Sequence, residues 1–382
     1  MSFSLYIHIP YCQSKCPYCD FNSWAATSWP EDDYTQAVIA ELRRRVEQAP
    51  WAGESIKTLF IGGGTPSLFA PASIARIIDE AARLSGIDAD AEITLEANPG
   101  TVDAAKLAGM RTAGVNRLSF GAQSFNSDIL KFLGRIHGPD DTREAARAAH
   151  RAGFERLNLD LIFAVPGQTL ADVRGDIESA VALAPDHISA YNLTFEEGTS
   201  FFADLKRGRI RQYGSDEQAM MYATVRELLP ALGYPMYEIS NYAPPGHEAR
   251  HNLTYWRGES YLGLGAGAHS FARDGAGGRR WWNERSPAGY IKGAQNEGIA
   301  EAGSEVVGGR TAAGEFVFLN LRLREGFALG DFARRFDEDF DTVFGARAAG
   351  LFDGGLLIRE CDRIRLSDRG LELADSIFAE FV

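Results

Sequence analysis

A short apolar strand that runs straight into three closely spaced cysteines leaves a chain few ways to fold. Residues 5–21 read LYIHIPYCQSKCPYCDF, with the thiols spaced Cys12-x3-Cys16-x2-Cys19. Three thiolates on one loop can hold three irons of a 4Fe–4S cluster and leave the fourth iron free for another ligand. Pro10, Pro17 and two aromatics stiffen the loop and make it partly apolar, which shields such a cluster from water. The same stretch admits a zinc site completed by His8. Structural zinc, however, takes four ligands at C-x2-4-C spacings, and the only other cysteine, Cys361, lies near the far end of the chain.

Beyond the loop, strand-like and helical runs alternate through the first half. Strands are expected over 5–9, 56–61, 92–97, 115–120, 154–163 and 187–193. Helical stretches separate them, for example 34–47 after Pro30, and Ile74, Ile77, Ile78 and Ala81 form an apolar stripe at helical spacing. Repeated βα units imply a parallel sheet, and six suffice for an incomplete (β/α)6 barrel of the α/β class. The faces of the strands say more. Leu157, Leu159, Leu161 and Phe163 alternate with Asn158 and Asp160; Ile93 and Leu95 with Thr94 and Glu96; Leu118 and Phe120 with Arg117 and Ser119. A sheet covered by helices on both sides is normally apolar on both. One polar face points to a lumen that holds a polar ligand. Gly62, Gly63, Gly64 and Thr65 end the second strand and offer bare backbone groups to such a ligand, although a glycine run alone is usually only a turn.

At 382 residues the chain has room for one large unit and a smaller one. The expected divisions are a barrel over 1–200, an extension over 201–305 and a C-terminal region over 306–382. A net charge of −13 argues against nucleic acid or an anionic membrane surface as the main partner. The N-terminus enters strand-like sequence without an apolar signal, and no run approaches a membrane span, so a cytoplasmic location is expected. A peripheral membrane contact and a homodimer are left open. Past residue 193 the βα rhythm breaks. A helix is expected over 216–232, a strand over 236–242, a mobile surface loop over 273–280, and helices over 315–323 and 331–344. A hairpin at 356–367 followed by an amphipathic helix resembles a winged-helix module, a lid or interaction surface given the acidic chain. Cys361 lies in the apparent wing as a half-buried small residue.

CxxxCxxC with an aromatic, Tyr18, before the last cysteine resembles the signature of radical S-adenosylmethionine (SAM) proteins. In that family the open iron binds the amino and carboxylate groups of SAM, and reduction of the cluster cleaves the sulfonium to a 5′-deoxyadenosyl radical. The nearest match is the coproporphyrinogen oxidase-like branch. The resemblance implies a radical SAM barrel in which Gly62, Gly63, Gly64 and Thr65 hold the SAM amino group. Gln123 and Asp160 would take the ribose hydroxyls, Glu96 and Arg135 the ribose and methionine end, with Tyr191 near the adenine and Tyr6 completing the set. Glu96, Gln123 and Asp160 all lie on the polar strand faces described above.

A second constellation, His251-Asn252-x-x-Tyr255-Trp256, follows between Arg250 and Arg257. An imidazole beside two large aromatics can ligate and sandwich a haem, with the arginines on its propionates, though such a histidine is more often a satisfied structural residue. HNxxYW resembles the signature of HemW-type haem chaperones, as does HIPYCxxKCPYCDFNS. The enzymatic relative, the oxygen-independent coproporphyrinogen III oxidase, carries a further cysteine where this chain has Phe21. The resemblance thus implies haem b as cargo, held by His251, Asn252, Tyr255 and Trp256 and passed to apo-haemoproteins. A true porphyrinogen decarboxylase, or a radical enzyme in which HNxxYW is only structural, remains the alternative.

Overall fold

Alternation along the first strand sets the layers of the molecule. In the computed structural model, which describes residues 2–382, β1 (Ser2–Ile9) buries Phe3, Leu5, Ile7 and Ile9 against helices, while Ser4, Tyr6 and His8 face inward. Parallel neighbours follow in chain order: β2 (Ser55–Gly63), β3 (Ile87–Ala97), β4 (Arg117–Gln123), β5 (Arg156–Phe163) and β6 (His187–Asn192). Register keeps like with like. Leu5 pairs with Leu59, Leu95 with Leu118 and Leu159 with Ile188, and on the other face Glu96 pairs with Ser119 and Asp160 with Ser189. Because side chains alternate with period 2, one set of registers separates an apolar outer layer from a polar lumen. The helix Pro71–Ser85 docks on that outer layer with Ile74, Ile77, Ile78 and Ala81, all buried. Each isoleucine so buried contributes roughly 1.5–3 kcal/mol.

The sheet does not stop at six strands. Met236–Glu238 (β7), Asn241–Tyr242 (β8), Tyr261–Leu264 (β9), His269–Asp274 (β10), Gly277–Asn283 (β11) and Glu301–Val307 (β12) complete a twelve-stranded row, β12-β11-β10-β9-β1-β2-β3-β4-β5-β6-β8-β7. β9 runs parallel to β1 and turns a glycine-rich stretch into a core strand. Gly263 is obligatory there, since a Cβ would lie 1.9 Å from the His269 carbonyl oxygen. Three expectations are corrected. Residues 236–242 form two short antiparallel strands, not one. Residues 273–280 are the tight turn and flanks of the β10–β11 hairpin, whose backbone bonds replace the expected mobile loop. The helix expected over 331–344 is two, Leu329–Phe336 and Phe340–Asp353, separated where Asp337 takes a left-handed conformation (φ 54°).

Buried Glu41 locks the extension to the barrel. Its carboxylate accepts from Tyr290 Oη (2.8 Å), Asn283 Nδ2 (2.8 Å) and the Gly265 amide (3.2 Å), and burial raises its pKa. Trp281, Tyr290 and Ala294 accordingly join the core of the barrel. A second core, built on Phe316, Phe327, Phe332, Phe340, Phe344 and Phe381, holds the C-terminal helices and a three-stranded sheet that includes the hairpin Leu357–Glu360 and Arg363–Leu366. Cys361 is exposed in that hairpin's turn, with φ 53°, and not half-buried as expected; a turn of this kind leaves no side of the residue to cover. No helix among the described residues is long and apolar enough to cross a membrane.

A candidate cluster loop and cofactor lumen

The cysteine loop leaves the C-terminal end of β1 and is pinned on every side. Gly64 and Thr65 donate backbone bonds to the Ile9 and Tyr11 carbonyls (both 2.8 Å), and Trp24 donates to Pro10 (2.7 Å). Gly64 and Gly63 are glycines because the protein itself crowds them. A Cβ at Gly64 would lie 2.7 Å from the Tyr11 carbonyl oxygen, and one at Gly63 2.7 Å from the His8 ring. On the far side Phe201 donates its amide to Pro17 (2.9 Å), and Lys15 reaches the carbonyls of Ser23 (3.1 Å) and Phe21 (3.3 Å).

Each thiol has its own neighbour. Thr65 Oγ1 donates to Cys12 Sγ (3.5 Å), Arg135 Nη1 donates to Cys16 Sγ (3.5 Å), and Ser23 Oγ lies 3.8 Å from Cys19 Sγ. Burial pushes the Cys12 and Cys19 thiols above their ordinary range, and the charge of neighbouring thiols adds to it. Among the described residues no three His, Cys, Asp or Glu side chains converge on a single metal ion. His8, the fourth ligand a zinc site would need, is committed through Nε2 to the Asn22 carbonyl (2.9 Å) and through Nδ1 to Tyr6 Oη (2.9 Å). The donor set suits a cluster with three thiolates and hydrogen-bond donors around its sulfurs.

The loop caps a lumen that holds the remaining expected residues. Glu96 accepts from the Gly63 amide (3.0 Å); burial, and then the charge of Asp160, raise its pKa to about 7. Asp160 accepts from Asn158 Nδ2 (2.8 Å) and Ser119 Oγ (3.2 Å), and burial raises its pKa as well. Two buried carboxylates with raised pKa values on one lumen wall make it a candidate functional pocket. Gln123 sits on a bulge of β4 at φ 66°, a conformation that costs a non-glycine residue about 1 kcal/mol or more and persists only where neighbours enforce it. The enforcer is Asp176, which accepts from the Phe125 amide (2.5 Å) and Ser124 Oγ (2.8 Å) directly after Gln123. Arg135 Nη2 donates to the Gly121 carbonyl (3.0 Å), so Gln123, Arg135 and Cys16 form one cluster of contacts. Tyr6 lies on the lumen wall, and Tyr191 is 41% exposed near the end of β6. The sequence pattern does not show Asp176 or the hydrogen bonds that fix His8 between Tyr6 and Asn22. The charge of Asp176 inside an otherwise apolar helical stripe was the available signal.

The HNxxYW motif lies elsewhere. Its helix, Arg250–Trp256, plugs the opposite end of the barrel, where the strands begin: Thr254 meets Ser4 (2.8 Å), and the His251 amide donates to Glu92 (3.1 Å). His251 is 1% exposed, with Nδ1 2.8 Å from Thr58 Oγ1 and Nε2 2.8 Å from Tyr255 Oη. Burial, then Lys57 and Arg117, lower its pKa to about 3, so the ring is neutral. Both nitrogens are engaged, and Tyr255 must let go before Nε2 can meet anything else. Asn252 is half-buried. Trp256 lies under the Arg322 guanidinium (4.3 Å). The arginines expected on propionates are paired with carboxylates, Arg250 with Asp90 (3.2 Å) and Arg257 with Glu325 (3.9 Å).

Residues 6–180 match the family model of the radical SAM superfamily, and 309–373 match that of the HemN C-terminal domain. Among curated proteins the chain is 36% identical to the heme chaperone HemW of Bacillus subtilis, covering 99% of both chains. It is 34% identical to HemW of Lactococcus lactis over 99% of this chain and 97% of the relative, and 46% identical to HemW of Escherichia coli over 70% and 69%. Among solved structures, coproporphyrinogen III oxidase (HemN) of Escherichia coli, a radical SAM enzyme, superposes with a TM-score of 0.84 over 100% of this chain and 90% of that one, at 24% identity, a likeness of fold. A barrel with its three thiols at one mouth, a C-terminal module and full-length identity of this order lead to one assignment: the chain belongs to the HemW heme chaperone family of the radical SAM superfamily.

Proposed function

We propose that this protein binds haem and hands it to apo-haemoproteins, and that its barrel carries a 4Fe–4S cluster and SAM. The observation that carries the reading is the end-to-end relationship to heme chaperones, which spans 99% of both chains. In this reading Cys12, Cys16 and Cys19 hold the cluster. Gly62, Gly63, Gly64, Thr65, Glu96, Gln123, Arg135 and Asp160 hold SAM, with Tyr6 and Tyr191 beside it. When bound, the cluster supplies one electron at the open iron. The chain's own part is to exclude water with the docked loop and to present carboxylates and bare amides in a fixed lumen.

Glu96 makes SAM binding pH-dependent. Its folded pKa lies above its unfolded one, so the carboxyl favours the ligand-free fold at low pH and loses that contribution as pH rises through about 7. A cationic ligand needs the carboxylate. Calorimetry should find SAM affinity rising up to about tenfold per unit below pH 7 and levelling above it, with Glu96→Gln flattening the profile. Asp160→Ala should weaken SAM by about tenfold or more, the loss of a charge-assisted bond of roughly 1.5–3 kcal/mol. A pH-independent affinity, unchanged in both variants, would remove these carboxylates from the site.

The haem role rests on His251, and the geometry supplies a control. Tyr255→Phe keeps the ring but frees Nε2, so it should speed or tighten haem uptake, while His251→Ala should abolish the shifted Soret band without loss of the cluster. If His251 only braces the barrel floor, both variants lower the melting temperature and leave the Soret band alone. The same protein, reduced and loaded with SAM, should transfer haem to an apo-acceptor and turn over no coproporphyrinogen III. Steady decarboxylation would establish the enzymatic reading instead.

A further inference from the structure

Two cavities adjoin where the extension meets the C-terminal module. The first, about 320 Å³, is walled mainly by Tyr255, Tyr261, Phe271, Phe316 and Phe318, with two carboxylates at its edge, Glu259 paired with Lys57 and Glu315 with Arg280. The second, about 720 Å³, is lined by Arg257, Arg273, Arg334, Arg335 and Arg363 against only two carboxylates, Glu325 and Asp331. Phe316 and Arg335 belong to both walls, and the Arg335 guanidinium lies 5.5 Å from the Phe316 ring centre. The two cavities thus lie side by side across Phe316 and Arg335, one mainly aromatic and the other mainly cationic.

The cationic cavity holds charge in excess. Arg257 and Arg363 share Glu325 (3.9 and 3.4 Å), and Arg334 pairs with Asp331. Arg335 donates instead to the carbonyls of Ala276 (3.1 Å) and Gly258 (3.5 Å), and among the described residues neither it nor Arg273 has a carboxylate within 4 Å. Burial and then Arg273 lower the Arg335 pKa to about 10. The one carboxylate whose charge reaches Arg335, Glu315, is already bonded to Arg280, so a half-buried guanidinium beside a second one keeps capacity for an anion. The aromatic cavity supplies the apolar half of the same ligand, at a size that small-molecule pockets typically have, roughly 300–1,000 Å³. Tyr255 closes the link to the motif helix: its ring lines the aromatic cavity while its hydroxyl holds His251 Nε2.

We propose that these adjoining cavities form a binding site for a planar, apolar macrocycle bearing carboxylates, its ring against Tyr255, Tyr261, Phe271 and Phe316 and its carboxylates on Arg273 and Arg335. In the setting of the proposed function that ligand is haem, and the inference rests on that reading. It goes beyond it by assigning the propionates to Arg273 and Arg335 in place of Arg250 and Arg257, and the ring to the face between the extension sheet and the C-terminal module.

The test is a titration of the full chain with haem and with haem dimethyl ester, whose carboxylates are blocked. The wild-type protein should bind haem about tenfold or more tightly than the ester. Arg273→Gln and Arg335→Gln should each bring haem toward the affinity of the ester while leaving the ester unchanged. Arg335 also braces neighbouring backbone, so Arg273→Gln, whose exposed side chain makes no hydrogen bond or ion pair among the described residues, is the cleaner variant. Equal affinities of wild type for haem and ester, or an Arg273→Gln protein that still discriminates fully between them, would overturn the site. Failure of the wild type to take up either compound would instead strike the haem reading itself.

Discussion

Alanine at Cys12, Cys16 or Cys19 is expected to remove the iron–sulfur cluster outright. In the proposed reading each sulfur would bind a different iron, and two remaining thiolates would not retain four irons against buffer. The neighbours of the loop cannot substitute: Thr65 and Ser23 are hydroxyls, Arg135 is a cation, and both nitrogens of His8 are already bonded. Cys361 stands exposed in a hairpin turn of the C-terminal module, so Cys361→Ala should keep full iron content. Iron and sulfide analysis of anaerobically reconstituted protein, with electron paramagnetic resonance after reduction, reads this directly. A cluster that survived Cys12→Ala and was lost in Cys361→Ala would refute the site.

A single methyl group at Gly64 should do nearly as much with every cysteine in place. Its Cβ would meet the Tyr11 carbonyl oxygen at 2.7 Å and the Pro10 carbonyl carbon at 2.8 Å. These are backbone atoms, and they cannot swing aside as a side chain would. Relief requires the β2 turn to separate from the cysteine loop, breaking the bonds from Gly64 and Thr65 to Ile9 and Tyr11. Overpacking of this kind costs about 1–3 kcal/mol, and the loss falls on the contact that holds Cys12 in place. Gly64→Ala should therefore melt at a lower temperature and reconstitute with less than half the iron of the parent. Gly175→Ala is the internal control: nothing lies within 4 Å of its Cβ, it sits inside the helix Leu170–Val181, and the change should be neutral or slightly stabilising, by about 0.5–1 kcal/mol. If both variants load iron normally, the glycines serve only as a turn.

Much of this was determined by local sequence. Spacing alone places three thiols on one loop, because residues three and four apart in a short segment cannot separate far whatever the fold. Period-2 alternation in β3, β4 and β5 marked both the helix-covered face and the polar lumen, since a pleated strand sends neighbours to opposite sides in any context. That put Glu96 and Asp160 on the lumen before any tertiary contact was known.

What the tertiary structure decided depends on partners far away in the chain. Nothing within the stretch 261–283 announces strands, because β9 is stable only where β1 supplies the other half of its ladder. The strain at Gln123 exists only because Asp176, more than fifty residues on, holds the segment after it. The reason for the glycines at 63 and 64 is likewise non-local: the crowding comes from His8, Pro10 and Tyr11. The motif at 251–256 shows the difference most plainly. Its letters are legible anywhere, but that His251 has both nitrogens taken, that Tyr255 stands between it and a cavity, and that unpaired arginines line the adjoining cavity follow from the packing of three separate segments. A short motif specifies which groups are present; burial and the competition for each hydrogen bond specify which of them are free to act.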